Sequence, residues 1–424
     1  MGRFGTPALT APSRPDPYTR AVPERTAAAA TDAATRPLTR KLEGLGTTIF
    51  AEMSALATET GAVNLGQGFP DTDGPAEVLD AAIDAIRHGV NQYPPGPGQL
   101  DLRQAIAQHQ RRFYGIDLDP ATEVVVTAGA TEALAGALLG MLDAGDEVVV
   151  FEPMYDSYQA CIALAGARAV PVLLSPGADG RYTFDPDELA GAVSERTKVI
   201  LVNTPHNPTG KVFTPDELET IAALARDRGL IVVTDEVYEH LCFDGRQHVA
   251  MATLPDMWER TLTISSGGKT FNTTGWKIGW MSGPEPLVTA AKTAKQFLTY
   301  VNGAPFQPAI ATGLRLPDEY FSGAVATLQV ARDHLVGGLR DAGFDAHPQE
   351  ATYFTTVDIR GVDPSGDGMA FCRALPERCG VVAIPNEVFY ARPEFGRHLV
   401  RFACCKRLEV IDAAVEGLVA GYGR

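Results

Sequence analysis

The segment Thr261–Ser282 contains the lysine with the clearest potential for chemistry, Lys269. Two serines and two glycines come directly before this residue, and a second lysine, Lys277, follows eight residues later. Glycine carries no Cβ and lets another molecule approach the backbone closely. A lysine whose pKa is lowered by its surroundings can act as a nucleophilic amine. Taken alone, however, a G-G-K turn is more typical of a solvated loop lysine, so other residues must decide between these interpretations.

Groups of polar, small or aromatic residues also follow four other β-type runs of the sequence. They are Ala128–Thr131, Glu152–Tyr155, Asn203–Gly210 and Asp235–Tyr238. In open α/β sheets, ligands bind beyond the carboxyl ends of the strands. We therefore expect these four groups and Lys269 to meet at one edge of a sheet and to form a site.

Residues 62–316 alternate short β-branched runs with longer helical stretches. This pattern is typical of βαβ units and predicts an α/β fold with a mostly parallel central sheet. One helix is predicted at Thr131–Met141 with Gly145 as its C-cap, and another at Pro215–Arg228 with a Thr214–Glu217 capping box. The predicted strands are Glu123–Thr127, Glu147–Phe151, Ala169–Leu173, Val199–Val202, Leu230–Thr234, Leu262–Ser265 and Ile278–Ser282.

The rest of the chain predicts three further regions around this large domain. Residues 317–424 are predicted to form a smaller α+β domain. Residues 37–61 are predicted to form an N-terminal arm and part of this smaller domain. Residues 1–36 are predicted to be a disordered extension rich in proline and alanine. The expected elements are helices at Ile49–Glu59, Val325–Ala342 and Leu408–Tyr422, and strands at Tyr353–Asp358, Val381–Ile384 and Leu399–Ala403.

The composition of the chain excludes several classes of function. The 424 residues carry a formal net charge of −16, which argues against nucleic acid as a partner. The six cysteines form no C-x-x-C pair, so neither a metal site nor a disulfide framework is predicted, and we expect reduced thiols in a cytoplasmic protein. Because no apolar run approaches about 18 residues, no membrane span is predicted.

One end of the predicted site is suited to a phosphate group. A helix is expected to begin at Gly129–Thr131, and the first N–H groups of a helix bind anions, helped by the positive end of the helix dipole. Ser266 and Lys277 can add a hydroxyl group and a positive charge to this anion site.

The other residues are suited to a flat, substituted ring. Asp235 can keep a ring nitrogen protonated, and Asn207 and Tyr238 can hydrogen-bond a phenolate oxygen. Tyr155 can stack on the ring, and Lys269 can form an imine with an aldehyde. A phosphate, a pyridine nitrogen, a phenolate and an aldehyde occur together in pyridoxal 5′-phosphate, which stabilises a carbanion at the α-carbon of an amino acid.

Each of these residues also has a simpler interpretation. Asp235 alone could cap a helix or turn, and Asn207 followed by proline alone is typical of a turn. Tyr155 and Tyr238 alone are more often core aromatic residues, and Arg401 alone is more often part of a surface ion pair. Only their joint order along the chain favours a cofactor site.

The order of these residues and of the motifs around them resembles that of the class I/II aminotransferases of fold type I, over about residues 38–419. It is most similar to the subgroup of kynurenine, methionine and N-succinyldiaminopimelate aminotransferases. The motifs are N-L-G-Q-G-F-P-D at 64–71, N-Q-Y-P at 91–94, N-T-P-H-N-P-T-G at 203–210, T-D-E-V-Y at 234–238, S-G-G-K-T-F at 266–271, T-G-W-K-I-G at 274–279 and V-R-F at 400–402.

The resemblance implies a role for each candidate residue. Lys269 would form the Schiff base with pyridoxal 5′-phosphate and then move a proton between the substrate Cα and the cofactor C4′. Tyr93 would reach the phosphate from a partner subunit, which implies a homodimer with shared active sites. Arg401 would clamp the α-carboxylate of the substrate, with Gly68 and Asn207 nearby. The other cofactor contacts would come from Gly129, Ala130, Thr131, Tyr155, Asn203, Asn207, Asp235, Tyr238, Ser266 and Lys277.

The resemblance also implies the reaction, the transfer of an amino group from an amino acid to a 2-oxo acid with ping-pong kinetics. N-succinyldiaminopimelate and 2-oxoglutarate, used in lysine biosynthesis, are the expected substrates. Three alternatives stay open. They are a kynurenine- or methionine-type aminotransferase with cysteine-conjugate β-lyase activity, an aminotransferase or oxidase of secondary metabolism, and an aminotransferase-like domain of a transcription regulator.

Overall fold

The computed structural model describes residues 39–42 and 49–423 of the chain. The predicted extension at residues 1–36 lies outside the described residues. The helices are α1 Ile49–Thr60, α2 Ala76–Arg87, α3 Leu100–Tyr114, α4 Gly129–Met141, α5 Asp156–Ala165, α6 Pro186–Gly191, α7 Pro215–Arg228, α8 Gly267–Thr270, α9 Glu285–Lys295, α10 Phe306–Leu314, α11 Asp318–Asp341, α12 Gly368–Cys379 and α13 Leu408–Tyr422.

The strands are mostly short, as expected for an α/β fold. They are β1 Val63–Asn64, β2 Val124–Ala128, β3 Glu147–Glu152, β4 Arg168–Leu173, β5 Ser175–Pro176, β6 Tyr182–Thr183, β7 Thr197–Asn203, β8 Ile231–Asp235, β9 Thr261–Ser266, β10 Ile278–Ser282, β11 Asp345–Ala346, β12 Phe354–Asp358, β13 Val381–Val382, β14 Ile384–Pro385 and β15 Leu399–Ala403.

The seven strands predicted for the central sheet form one seven-stranded sheet, in the order β2-β10-β9-β8-β7-β3-β4. All neighbours are parallel except β10, which runs antiparallel to both β2 and β9. The carboxyl ends of the other six strands therefore lie at one edge of the sheet. Because β10 runs the opposite way, its amino end, directly after Lys277, lies at that same edge.

Hydrophobic clusters cover both faces of this sheet. Alternate strand residues point to opposite faces, so Val148 and Val150 pack with α4, α5 and α9 while Val149 packs with α7. Burial of both faces explains why the strands are almost continuously apolar in the sequence.

A second sheet has the order β11-β12-β15-β14 and consists of antiparallel pairs. Most of its apolar side chains share one hydrophobic cluster with residues of α1, α11, α12 and α13. The domain boundaries at residues 61 and 316 stay a prediction. No helix within the described part of the chain is long and apolar enough to cross a membrane.

Several local predictions can be compared directly with the structure. The capping box of α7 is confirmed, because Thr214 Oγ1 accepts from the N–H of Glu217 and the Glu217 carboxylate accepts from the N–H of Thr214. The prediction of Gly145 as the C-cap of α4 is wrong. That helix ends at Met141 with an extended Leu142, and Gly145 instead supplies a positive φ of 96° in the turn before β3.

Two predictions outside the central sheet also need correction. The helix expected at Val325–Ala342 begins seven residues earlier, at Asp318. The single strand expected at Val381–Ile384 is divided, because β13 pairs with β1 whereas β14 pairs with β15 in the other sheet. Its two halves have different partners, which a local apolar pattern does not specify.

Candidate active site

A cavity of about 510 Å³ opens at the edge of the central sheet where the carboxyl ends of the strands lie. The sequence-predicted residues that line it are Gly68, Gly129, Ala130, Thr131, Tyr155, Asn203, Asn207, Asp235, Tyr238, Ser266, Lys269, Lys277 and Arg401. Tyr93 is the predicted site residue that the chain does not bring to this cavity. The expectation that the strand ends meet at one edge of the sheet is therefore confirmed within a single chain, and the roles of the residues there stay a prediction.

Lys269 lies in the short helix α8, directly after β9. Ser266 Oγ accepts from the N–H of Gly268 and so caps the start of this turn. The Lys269 Nζ atom donates to the carbonyl of Gly68 over 2.9 Å. Burial lowers the pKa of this amine from 10.5 to about 8, and the nearby positive charges of Arg401 and Lys277 act in the same direction. The amine is thus partly neutral near physiological pH, as a nucleophile requires.

Asp235 is the last residue of β8, is buried and lines the cavity. Its Oδ2 atom accepts from the hydroxyl of Tyr158 over 2.7 Å, and its Oδ1 atom accepts from the N–H of Val237 over 3.3 Å. Burial raises the pKa of this carboxyl to about 6, while the hydrogen bond from Tyr158 opposes the rise. A buried carboxylate of this kind is suited to a cationic ring nitrogen.

Asn203 and Asn207 differ in what they can contact. The Asn203 amide group is occupied by the backbone, because its Nδ2 donates to the carbonyl of Asp235 over 2.8 Å and its Oδ1 accepts from the N–H of Asn207. Asn207 Oδ1 accepts from Arg401 over 2.9 Å. Asn203 therefore fixes the turn that presents Asn207, while Asn207 faces the cavity.

The amino end of α4 forms the anion-binding end of the cavity. Glu132 accepts from the N–H of Ala128, but no side chain of the described residues caps the first turn of the helix, so the amide groups of Gly129, Ala130 and Thr131 stay available to a ligand. Lys277 adopts a left-handed backbone with φ of 55°, and an added Cβ at Gly129 would lie 3.1 Å from its Nζ. An added Cβ at Gly279 would lie 2.6 Å from the Gly129 carbonyl carbon, so glycine lets β10 pack against this turn.

Arg401 lies at the opposite end of the cavity, on β15. Its side chain is buried, and its Nη1 and Nη2 atoms donate to Asn207 Oδ1 and to the carbonyl of Gly66, over 2.9 and 2.8 Å. Its Nε atom is buried with no partner among the described residues. Burial lowers the pKa of the guanidinium to about 10, so it keeps its charge at neutral pH. Nη1 and Nη2 each carry a second N–H group that can donate to an anionic ligand.

Aromatic rings surround Arg401 and shape this end of the cavity. The guanidinium carbon lies 4.0 Å from the ring centre of Phe354 and 4.8 Å from that of Phe389. Gly68 passes so close to Phe354 that an added Cβ would lie 2.3 Å from the ring. Glycine at position 68 therefore lets the backbone pass close to the ring of Phe354.

The comparisons with known proteins agree with this geometry. Residues 60–418 match the family model of the aminotransferases of class I and II. The chain belongs to this family.

Several relatives and solved structures support membership in this aminotransferase family. The chain is 51% identical over 390 residues to the probable N-succinyldiaminopimelate aminotransferase DapC of Mycobacterium tuberculosis, covering 89% of this chain and 97% of that protein. It is 39% identical over 378 residues to the methionine aminotransferase of Escherichia coli, with the same coverage. The structure of the N-succinyldiaminopimelate aminotransferase from M. tuberculosis superimposes with a TM-score of 0.88, covering 90% of this chain and 99% of that one.

Aminotransferases of this family use pyridoxal 5′-phosphate, and the donor set of the cavity fits this cofactor. The uncapped start of α4 with Lys277 suits its phosphate, the buried Asp235 suits its ring nitrogen, and the amine of Lys269 suits its aldehyde. The prediction of an enzyme that transfers amino groups with this cofactor is confirmed.

The sequence interpretation missed several residues of the aminotransferase cavity. Tyr158, which donates to Asp235, and Phe354, which stacks on Arg401, are the most important. Tyr158 follows the predicted Tyr155 by three residues, one helical turn, so the motif contained a usable signal. Phe354 comes from a distant strand and gave no signal. The other missed lining residues are Phe50, Gln67, Phe69, Leu134, Asp156, Ser157, Val237, Gly268 and Thr274.

A separate cluster of two buried residues and one partly buried residue lies outside the cavity. Ligand atoms of His109, Glu239 and His240 lie within 4.8 Å of one another, a spacing that a metal ion could use. The two histidine Nε2 atoms share a hydrogen bond of 2.6 Å, and Glu239 accepts from Ser265 over 2.6 Å. These bonds give the cluster a structural explanation, and the absence of a metal site stays a prediction.

Proposed function

We propose that this aminotransferase converts N-succinyldiaminopimelate, with 2-oxoglutarate as the partner substrate. The observation that carries this proposal is the 51% identity to the probable N-succinyldiaminopimelate aminotransferase of M. tuberculosis, over nearly its whole length. Relatives with other substrates, the methionine and kynurenine aminotransferases, are 39% and 36% identical. The cytoplasmic location stays a prediction.

The residues of the cavity divide the binding of the cofactor between its two ends. The amides of Ala130 and Thr131, the hydroxyl of Ser266 and the amine of Lys277 would hold the phosphate. Asp235 would pair with the ring nitrogen, while Asn207 and Tyr238 would contact the phenolate oxygen. Tyr155 would pack on the ring. When bound, the cofactor supplies an aldehyde that takes up the amino group and a ring that withdraws electrons from the α-carbon.

Lys269 would hold the cofactor in the resting enzyme and would move the proton at the substrate α-carbon. Its Nζ atom donates to the carbonyl of Gly68, at the end of the cavity proposed for the substrate carboxylate. Ser266, at the end proposed for the phosphate, comes three residues before Lys269 in the chain. Lys269 therefore connects the two ends. Its lowered pKa, about 8, lets the amine both accept and release a proton near neutral pH.

Arg401 would orient the substrate by its α-carboxylate. Arginine presents paired donors that match a carboxylate, and burial under Phe354 keeps water away from the pair. Both the amino acid and the 2-oxo acid carry this carboxylate, so one arginine can serve both halves of the reaction.

We further propose that the enzyme is a homodimer with shared active sites. Tyr93, Phe297 and Tyr300 are the most exposed large aromatic residues of the described part of the isolated chain, at 83%, 80% and 54%. Tyr93 and Tyr300 are in ring contact, with centroids 5.8 Å apart. Exposed apolar patches often mark protein interfaces, and this one would carry Tyr93 to the phosphate end of the partner's cavity.

Heterodimers with Tyr93→Ala in one chain and Lys269→Ala in the other chain test the shared site. If Tyr93 serves the partner's cavity, one site of the heterodimer carries both changes and the other carries neither. We therefore expect about half of the wild-type activity after purification with two different affinity tags. If Tyr93 acts only within its own chain, the heterodimer will be no more active than half of the Tyr93→Ala homodimer.

Steady-state kinetics with 2-oxoglutarate test the proposed substrate. We expect kcat/KM for N-succinyldiaminopimelate to exceed the values for kynurenine and methionine by at least about tenfold, because differential contacts set specificity. Equal or higher values for kynurenine or methionine would refute this substrate. Release of ammonia and pyruvate from cysteine conjugates, measured in the same preparations, would reveal a competing β-elimination.

A further inference from the structure

Tyr158 is a buried phenol whose hydroxyl group points at Asp235. The side chain is 2% exposed and lies on α5, one turn after Tyr155. Its hydroxyl donates to Asp235 Oδ2 over 2.7 Å, and this carboxylate oxygen is its hydrogen-bond partner among the residues that the structure describes. Burial raises the pKa of this phenol well above 10, so the hydroxyl keeps its proton at every pH at which the enzyme works.

The direction of this hydrogen bond depends on the charge of Asp235. A phenol that never loses its proton donates to the ionised carboxylate. A carboxyl protonated at Oδ2 is a much weaker acceptor for the tyrosine hydroxyl than the carboxylate. The hydrogen bond therefore favours the ionised form of the carboxyl over the neutral form.

The other groups around Asp235 do not replace this donor. Val237 contributes a longer backbone hydrogen bond of 3.3 Å, and Lys269 contributes a positive charge without a hydrogen bond to the carboxylate. The adjacent Glu236 raises the pKa of Asp235 and so disfavours its ionised form, although the Glu236 carboxylate is paired with His248 over 2.7 Å. Tyr155 and Tyr238 are neutral phenols that interact with Asp235 only at longer range.

We propose that Tyr158 is a positioning residue that keeps Asp235 ionised and oriented for the ring nitrogen of the cofactor. The inference rests on the proposed pairing of Asp235 with that nitrogen. A neutral carboxyl could not stabilise a protonated ring, so the cofactor would be bound less tightly and activated less strongly.

The test measures the binding of pyridoxamine 5′-phosphate to the cofactor-free enzyme between pH 5 and 9. This form has an amine in place of the aldehyde, so Lys269 makes no covalent bond and the dissociation constant reports the non-covalent contacts. In Tyr158→Phe, the ring is kept and only the hydroxyl is removed. The ratio of its dissociation constant to that of the wild type cancels the ionisations of the ligand itself.

We expect this ratio to depend on pH. Loss of the hydrogen bond raises the pKa of Asp235 above its value of about 6. A shift of about one pH unit makes binding weaker by about tenfold at pH 5 and leaves it nearly unchanged at pH 8.5. A purely structural role of Tyr158 would give a ratio that is the same at every pH, and a ratio of one throughout would also overturn the inference.

Two further variants distinguish a failure of the role of Tyr158 from a failure of the proposed pairing between Asp235 and the ring nitrogen. Tyr182→Phe removes another buried hydroxyl, which bonds His347 Nδ1 over 3.0 Å away from the cavity, and should give a ratio near one at all pH values. Adding Tyr158→Phe to Asp235→Asn should change nothing further, because the titrating group is gone. If Asp235→Asn itself leaves binding unchanged, the proposed pairing of Asp235 fails, rather than the role of Tyr158 alone.

A second substitution keeps the inference testable if Tyr158→Phe does not fold. Incorporation of 3-fluorotyrosine at position 158 preserves the hydroxyl and the shape of the ring and makes the phenol a stronger donor. The weakening of binding at low pH should then begin at a lower pH than in the wild type. An unchanged pH dependence would contradict the inference.

Discussion

Replacement of Lys269 by alanine should lower the turnover number of the amino-transfer reaction by at least about 10⁴-fold. The variant would lack both the amine that holds the cofactor and the group that moves the proton at the α-carbon. No other lysine within the described residues can substitute from inside the cavity except Lys277, which lies at the phosphate end next to Gly129. Borohydride reduction should attach the cofactor to the peptide containing Lys269 in the wild type, and mass spectrometry should find no such adduct in the variant.

Lys295→Met is the matched control for this experiment. Lys295 is also buried, and its Nζ atom donates to a backbone carbonyl, that of Tyr300, over 2.6 Å. It does not line the cavity. We expect the control to lose stability but to keep the covalent adduct at Lys269. An adduct that persisted in Lys269→Ala would overturn the central assignment of the site.

Replacement of Arg401 by lysine should lower kcat/KM for the amino acid by about 100-fold, or about 2.7 kcal/mol of transition-state stabilisation. Lysine keeps the charge but cannot present two parallel N–H groups to a carboxylate. It also cannot bridge Asn207 Oδ1 and the Gly66 carbonyl as the guanidinium does. We expect most of the loss to appear as a higher KM, for the amino acid and the 2-oxo acid alike.

Arg332→Lys controls for the loss of a buried guanidinium. Arg332 is 7% exposed, pairs with Asp244 over 2.8 Å and lies 4.8 Å from the ring centre of Phe243, but it is outside the cavity. This variant should be less stable and should keep its KM values. If Arg401→Lys weakened the binding of pyridoxamine 5′-phosphate and left both KM values unchanged, Arg401 would not be the carboxylate-binding residue.

The sequence alone determined the central sheet and most of the site, because both follow from local rules. Buried parallel strands produce short apolar runs between helical stretches, and the seven predicted strands agree with the observed ones within about two residues. The capping box at Thr214 uses atoms only three residues apart, so a local pattern was enough to predict it. The rule that ligands bind at the carboxyl ends of strands then grouped Lys269, Asp235 and Asn207 into one predicted site.

Only the tertiary structure decided which distant residues complete the site. The antiparallel direction of β10 brings Lys277 to the same edge as the ends of the parallel strands, and pairing direction depends on partners far along the chain. The contact of Phe354 with both Gly68 and Arg401 joins three segments that no local pattern connects. The same limit explains the divided strand at residues 381–385, whose halves pair with β1 and β15. Local sequence encodes periodicity and caps, whereas these contacts depend on the packing of the whole chain.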